Sequence, residues 1–142
     1  MVVSVILSSC GNEDKEKQYG SPGATIVFEE KEMFFGFAGG NQKNIIIGLN
    51  SPRPLKYEPK DLEYYICCID YNEGEKKIHY LNPYSSPKEM KSFSAEGITV
   101  TLKSDYSIEI SVAASLKPRS WHILIGAESF LPVEGSFEVT QQ

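Results

Sequence analysis

The C-terminal third of the chain alternates apolar and polar residues so regularly that only one backbone conformation suits it. Ile98, Val100 and Leu102 share one side of GITVTLK, with threonines between them. Ile108, Ile110 and Val112 repeat the pattern in YSIEISV, against serine and glutamate. Successive strand side chains point to opposite faces, so a period of two buries one face of a strand; a helix would scatter the same residues around its circumference. The turn residues KSD between the two runs predict a hairpin. Trp121, Ile123 and Ile125 are in phase in RSWHILIG, and Phe137 and Val139 alternate with Glu138 and Thr140 in EGSFEVTQQ.

The earlier segments extend the same architecture. ATIVFEE and EMFFGFA are rich in strand-forming residues and are followed by the turn GGNQ. KNIIIGLN is a short apolar run between polar residues, which predicts a strand buried on both faces. SPRPLKYEPKD carries three prolines and is a loop, because proline cannot donate to a ladder. LEYYICCIDY and KKIHYL flank YNEGE, where Gly74 supplies a turn, so they form a second hairpin. NPYSSPKEM is a further loop, and PKEMKSF has room for one helical turn. No stretch sustains a 3.6-residue period, and no internal repeat is present. About eight or nine short strands with closely spaced turns indicate an all-β sandwich or barrel.

The N-terminus poses a separate question. Met1 to Leu7 is almost wholly apolar, but a bilayer-spanning helix needs about 20 such residues. Seven residues match the apolar core of a signal peptide. Leu7-Ser8-Ser9-Cys10 resembles the lipobox of bacterial lipoproteins. The resemblance implies that residues 1–9 are a removed leader, and that Cys10 becomes the diacylglyceryl-modified first residue of the mature protein. The following GNEDKEKQYGSPG has charges, glycines and a proline without apolar periodicity, so residues 10–23 form a solvated tether. Acyl chains at about 0.8 kcal/mol per buried CH₂ would anchor such a protein stably. Glu13 and Asp14 are similar to the surface-export signals of Bacteroidetes lipoproteins. The competing reading makes VVSVIL a buried strand and Cys10 an ordinary apolar residue; the tether that follows weighs against it. The expected organisation is therefore leader 1–9, lipidated tether 10–23 and one β-sandwich domain over 24–142. The expected address is the outer membrane of a Gram-negative envelope, facing either the periplasm or the surface.

The 142 residues carry a formal net charge of −5 and contain no basic run. Nucleic-acid binding depends on phosphate neutralisation by Lys and Arg, so it is not expected. Cys67 and Cys68 are neighbours on a predicted strand and should be free thiols, buried or half-buried. No second Cys or His pair in the sequence completes a metal site, so neither metal nor cofactor is expected. Only His79 and His122 offer an imidazole. His122 is out of phase with its apolar neighbours and His79 lies between Ile78 and Tyr80, so both should face solvent. DYNEGE at 70–75 places Gly74 where a calcium loop needs a ligand, and GFAGG opens no helix for a phosphate. Catalytic residues are therefore not expected.

Binding is the stronger expectation. Tyr57, Tyr64, Tyr65, Tyr71, Tyr80 and Tyr84 crowd into one third of the chain. Aromatic faces stack on sugar rings, and nearby Asp, Asn and Glu can bond hydroxyls. Tyr64 shares a face with Leu62 and Ile66 and should be buried, whereas Tyr65 shares its face with Glu63 and should be exposed. Tyr65, Tyr71, Tyr80 and Tyr84 are the candidate glycan contacts, and Trp121 belongs to the core.

YSIEISVAASLKPRSWHILIG followed by FEVTQQ resembles the second half of a BACON-type, immunoglobulin-like domain of Bacteroidetes lipoproteins. Arg119, the run Trp121 to Ile125, and Val139-Thr140-Gln141 carry that likeness. FGFAGGNQKNIIIGL resembles the family's first hairpin. The resemblance implies an immunoglobulin-like antiparallel β-sandwich of about seven to nine strands. It also implies an extracytoplasmic module that either binds glycans or acts as a spacer. The expected function is a non-catalytic, lipid-anchored module that binds a glycan or another envelope component. The alternatives are a structural spacer, a subunit of a surface assembly, or an enzyme of unrecognised type.

Overall fold

A computed structural model describes residues 23–55, 57–83, 91–129 and 132–142. Its strands are β1 (Ala24–Phe28), β2 (Glu32–Phe35), β3 (Gly40–Asn50), β4 (Glu63–Glu73) and β5 (Lys76–Leu81), followed by β6 (Ser92–Ala95), β7 (Ile98–Leu102), β8 (Ser107–Val112), β9 (Arg119–Glu128) and β10 (Val133–Gln141). One 3₁₀ turn, Pro59–Asp61, is the only helical element among the described residues.

Hydrogen bonding runs in the order β5-β4-β9-β10-β1-β3-β8-β7-β6, with β2 also on β10. Pairing is antiparallel, except that β10 runs parallel to both β1 and β2. The layer β1-β3-β8-β7 follows the A-B-E-D order of immunoglobulin domains, and β4-β9-β10 follows C-F-G. Strand β5 extends the second layer as an added edge strand, as in variable-type domains. The fold is an immunoglobulin-like β-sandwich.

Its first strand is divided between the layers, which raises the strand number to ten. Asn44, fully buried, holds the break: its side-chain oxygen accepts from the N–H groups of Glu30 (3.0 Å) and Ile45 (2.9 Å), and its amide donates to Glu30 O at 2.9 Å. Beyond the break β2 pairs in parallel with β10. The FGFAGGNQ segment is therefore a crossing between layers and not the turn of a first hairpin. Strand β3 is likewise not buried on both faces. Ile46 points inward, while Ile47 is 59% exposed, because the outer face of an antiparallel layer meets water.

The predicted hairpins are present. Ile98 pairs with Val112 and Leu102 with Ile108. Strands β4 and β5 meet across Gly74, whose φ is +60°. Strand β6 was not legible: it holds four residues and joins β7 through Glu96-Gly97, whose φ values of 50° and 86° mark a type I′ turn. Isoleucine is the commonest core residue, and the core is closed by Phe28 against Phe137 (centroids 4.9 Å apart) and by Trp121 against Tyr71 (5.9 Å). Both described cysteines lie on β4, so no disulfide joins the layers among the described residues.

The two ends of the sandwich differ. The described residues 51–55, 57–62, 82–83, 91, 103–106, 129 and 132 share one end, where the chain also enters β1: Ala24 pairs with Val133, and Thr25 with Asn50. The opposite end collects the segments 36–39, 74–75, 96–97 and 113–118.

Candidate functional site

The site begins with a β-bulge. Across β4 and β9, Leu124 pairs with Cys68 and Ile125 with Ile66, leaving Cys67 as the extra residue. A one-residue insertion exchanges the two faces of everything beyond it. Before the bulge Tyr64 and Ile66 point inward; after it Ile69 and Tyr71 do, and Cys68 and Asp70 turn outward. Simple alternation puts Tyr71 on the same outer face as Tyr65, and the bulge overturns that. Tyr71 is 1% exposed, packs on Trp121 and donates to Glu73 at 2.5 Å, so it offers no ring to a glycan. That hydrogen bond holds the Glu73 carboxyl below its ordinary pKa.

The other tyrosines do not assemble either. Tyr65 is half-buried on the outer face, its ring so close over Gly126 that a methyl there would meet it at 2.9 Å. Tyr80 pairs with buried Ile69, packs against the core from the edge strand and donates its hydroxyl to Glu96. Tyr64 is buried, as its phase predicts, and burial pushes its pKa to about 12. Tyr84, like Cys10, lies outside the described residues. The aromatic platform expected of Tyr65, Tyr71, Tyr80 and Tyr84 therefore loses Tyr71, and Tyr65 and Tyr80 sit on opposite faces.

The outer face of β5-β4-β9-β10-β2 carries a different feature. Cross-strand register sets His79, Asp70, His122, Glu138 and Glu32 in one row, strand by strand. Adjacent strands are about 4.8 Å apart, so each member of the row reaches its neighbour. His79 Nδ1 donates to Asp70, and His122 Nδ1 donates to Glu138. The hydrogen bond to Glu138 raises the pKa of His122 against the opposing effect of burial. Both imidazoles lie on the solvent side, as their phase predicts; His79 is the more open, with 57% of its side chain exposed.

Flanking rows complete the face. Leu81, Cys68, Leu124 and Ser136 lie on one side, and Lys77, Asn72, Ser120, Thr140 and Phe34 on the other. Leu81 at one margin is 61% exposed and Phe34 at the other 54%. Within this face Cys68, Asp70 and His79 each present one ligand atom, and the three atoms lie within 4.8 Å of one another. No second Cys or His pair was needed to gather them: the hairpin register did so. A turn of two residues after Glu73 pairs 73 with 76, and hence 70 with 79 and 68 with 81. That arithmetic was available in the sequence; the approach of His122 from β9 was not, because no local pattern encodes it.

Arg119 and Gln141, which carry the BACON likeness, meet at the end opposite the long loops. Arg119 Nε donates to Gln141 Oε1 at 2.8 Å, and its Nη atoms reach Glu96 O and Ala113 O. The guanidinium lies 5.0 Å from the Trp121 ring. Gln141, fully buried, donates to Gly36 O and Ala113 O at 3.0 Å each. These residues clamp turns together. A polar groove of about 470 Å³ lies at the other end, between Ala24, Thr25, Asn50, Ser51, Pro132 and Glu134.

No protein-family model and no curated protein matches the chain. Among solved structures the chain is similar to murine CRIg, at 8% identity and a TM-score of 0.34, over 84% of this chain and 97% of that one.

Proposed function

We propose that the chain is a lipid-anchored envelope protein of the Bacteroidetes type. Its BACON-like, immunoglobulin-like domain acts as a non-catalytic binding module for another envelope component. The observation that carries this reading is the outer face of β5-β4-β9-β10-β2. It has a central polar row in which His79 is paired with Asp70 and His122 with Glu138, and an exposed apolar residue at each margin, Leu81 and Phe34. Polar groups already paired within the face need not be stripped of water individually on docking, and the apolar margins supply area to bury. A glycan platform is less well supported, because Tyr65 alone of the described tyrosine candidates lies on this face. Strand addition along β5 is opposed by Lys76 and Lys77 near the start of that edge.

The anchor geometry is compatible with this face. The tether leads into β1 at the end bearing the long connections, and its 13 residues from Gly11 to Gly23 span at most about 45 Å. Attachment at that end leaves the β5-to-β2 face clear of the attachment point.

The anchoring half of the proposal has its own test. In cells exporting the chain behind a complete lipoprotein signal, the wild type is expected in the membrane fraction. Cys10→Ala is expected in the soluble fraction. Retention of Cys10→Ala by membranes would mean that the thiol is not the anchor.

A further inference from the structure

We propose that Cys68, Asp70 and His79 form a binding site for one divalent transition-metal ion of the zinc class. The inference is independent of the partner reading above and rests on the hairpin β4–β5 alone.

Three features carry it. The donor set is a thiolate, an imidazole and a carboxylate, the combination that borderline-soft divalent ions prefer over calcium or magnesium. The donor atoms are already gathered, all within 4.8 Å. In a tetrahedral zinc site, bonds of about 2.0–2.3 Å put ligand atoms about 3.4–3.6 Å apart. The widest separation must therefore close by roughly an ångström, while the His79–Asp70 hydrogen bond opens to admit the ion. The two that would move are the exposed ones: 57% of the His79 side chain and 41% of the Asp70 side chain are open to solvent. Cys68 is 3% exposed and held in the strand, so it fixes the floor of the site. The third feature is the backbone. Cys68 and Asp70 are two residues apart on one face, and His79 stands directly opposite Asp70 in the ladder. The ligands thus ride on paired strands and not on a loop, the arrangement that holds coordination geometry best.

His122 on β9 is the cross-strand neighbour of Asp70 on β4, but its imidazole is directed to Glu138, so it is not counted among the ligands. A solvent molecule would complete four-coordination. Binding would proceed by loss of the Cys68 thiol proton to solvent and formation of a metal–sulfur bond, with no change of oxidation state. The same three residue types can serve nucleophilic catalysis. A nucleophile must reach its substrate, however, and the Cys68 sulfur is almost wholly covered, whereas a metal ion needs only one lone pair.

Titration of the purified full chain with Co²⁺, followed by back-titration with Zn²⁺, tests the site. Cys10→Ala is used as the parent so that no other accessible thiol competes. The expected result is one equivalent of cobalt with the intense visible bands of a tetrahedral site and a sulfur-to-cobalt charge-transfer band, all bleached by zinc. His79→Ala, an exposed change that leaves the fold intact, should weaken cobalt binding at least about tenfold. Cys68→Ala should abolish the charge-transfer band, and Cys67→Ala should leave it. The absence of stoichiometric cobalt binding would overturn the proposal. So would a charge-transfer band that survives Cys68→Ala, or an affinity unchanged in His79→Ala.

Discussion

Replacing Gln141 by leucine, an apolar side chain one bond shorter, should lower the stability of the domain by about 3 kcal/mol. The amide is fully enclosed and satisfies three partners: it donates to Gly36 O and Ala113 O and accepts from Arg119 Nε. Leucine removes all of these bonds and leaves the Arg119 Nε–H without its partner, while the Gly36 and Ala113 carbonyls keep the Gly39 N–H and an Arg119 Nη–H. An unsatisfied buried polar group costs about 1–3 kcal/mol, and more where charge is involved. For a domain of this size the midpoint of thermal unfolding should fall by roughly 10 °C. Thr140→Val, one residue earlier on the outer face, should change stability by less than about 0.5 kcal/mol. If Gln141→Leu unfolds like the parent, the clamp between the last strand and the turns at 36–37 and 113 is not what holds that end of the sandwich.

The second large effect is expected at Gly39, in the same neighbourhood. Its φ is +79°, where an L-residue costs about 1–2 kcal/mol. Its position also leaves no room. A Cβ there would lie 2.2 Å from Val112 O and 2.8 Å from the Ala113 carbonyl carbon, both backbone atoms that cannot swing aside. Gly39→Ala should therefore cost more than about 3 kcal/mol, by strain and by forcing the crossing segment off β8. Gly48→Ala is the control: nothing lies within 4 Å of its Cβ position and its φ is not in the left-handed region. It should be neutral or slightly stabilising, since alanine restricts the unfolded chain more than glycine does. Equal losses from Gly39→Ala and Gly48→Ala in urea unfolding would contradict the packing described for this turn.

These two positions show how much the sequence carried. The alternation in β7, β8, β9 and β10 was legible because each strand has one dry face and one wet face, and a period of two records that difference directly. The β4–β5 hairpin was legible from Gly74. The partner of EMFF was not: β2 pairs with β10, more than a hundred residues away, and periodicity says nothing about which strand lies alongside. Tyr71 was misplaced for a local reason. The bulge at Cys67 inverts the phase of β4, and two adjacent cysteines give no sign of it. His122 was placed on the solvent side from its phase, but its neighbours Asp70 and Glu138 come from two other strands, so the row that defines the outer face emerged only with the fold. Arg119 and Gln141 were noticed through their family likeness, and the hydrogen bonds by which they hold the turns together make them structural.

The assignment of the β5-to-β2 face as the binding surface is tested most directly by site-specific photo-crosslinking in cells that make the chain natively. A photoreactive residue in place of Glu138 samples that face. One in place of Glu109, exposed on the outer side of β8, samples the other layer. The proposed function predicts a discrete adduct at position 138 and none at 109. Adducts confined to 109, equal adducts at both positions, or no adduct at either would contradict it.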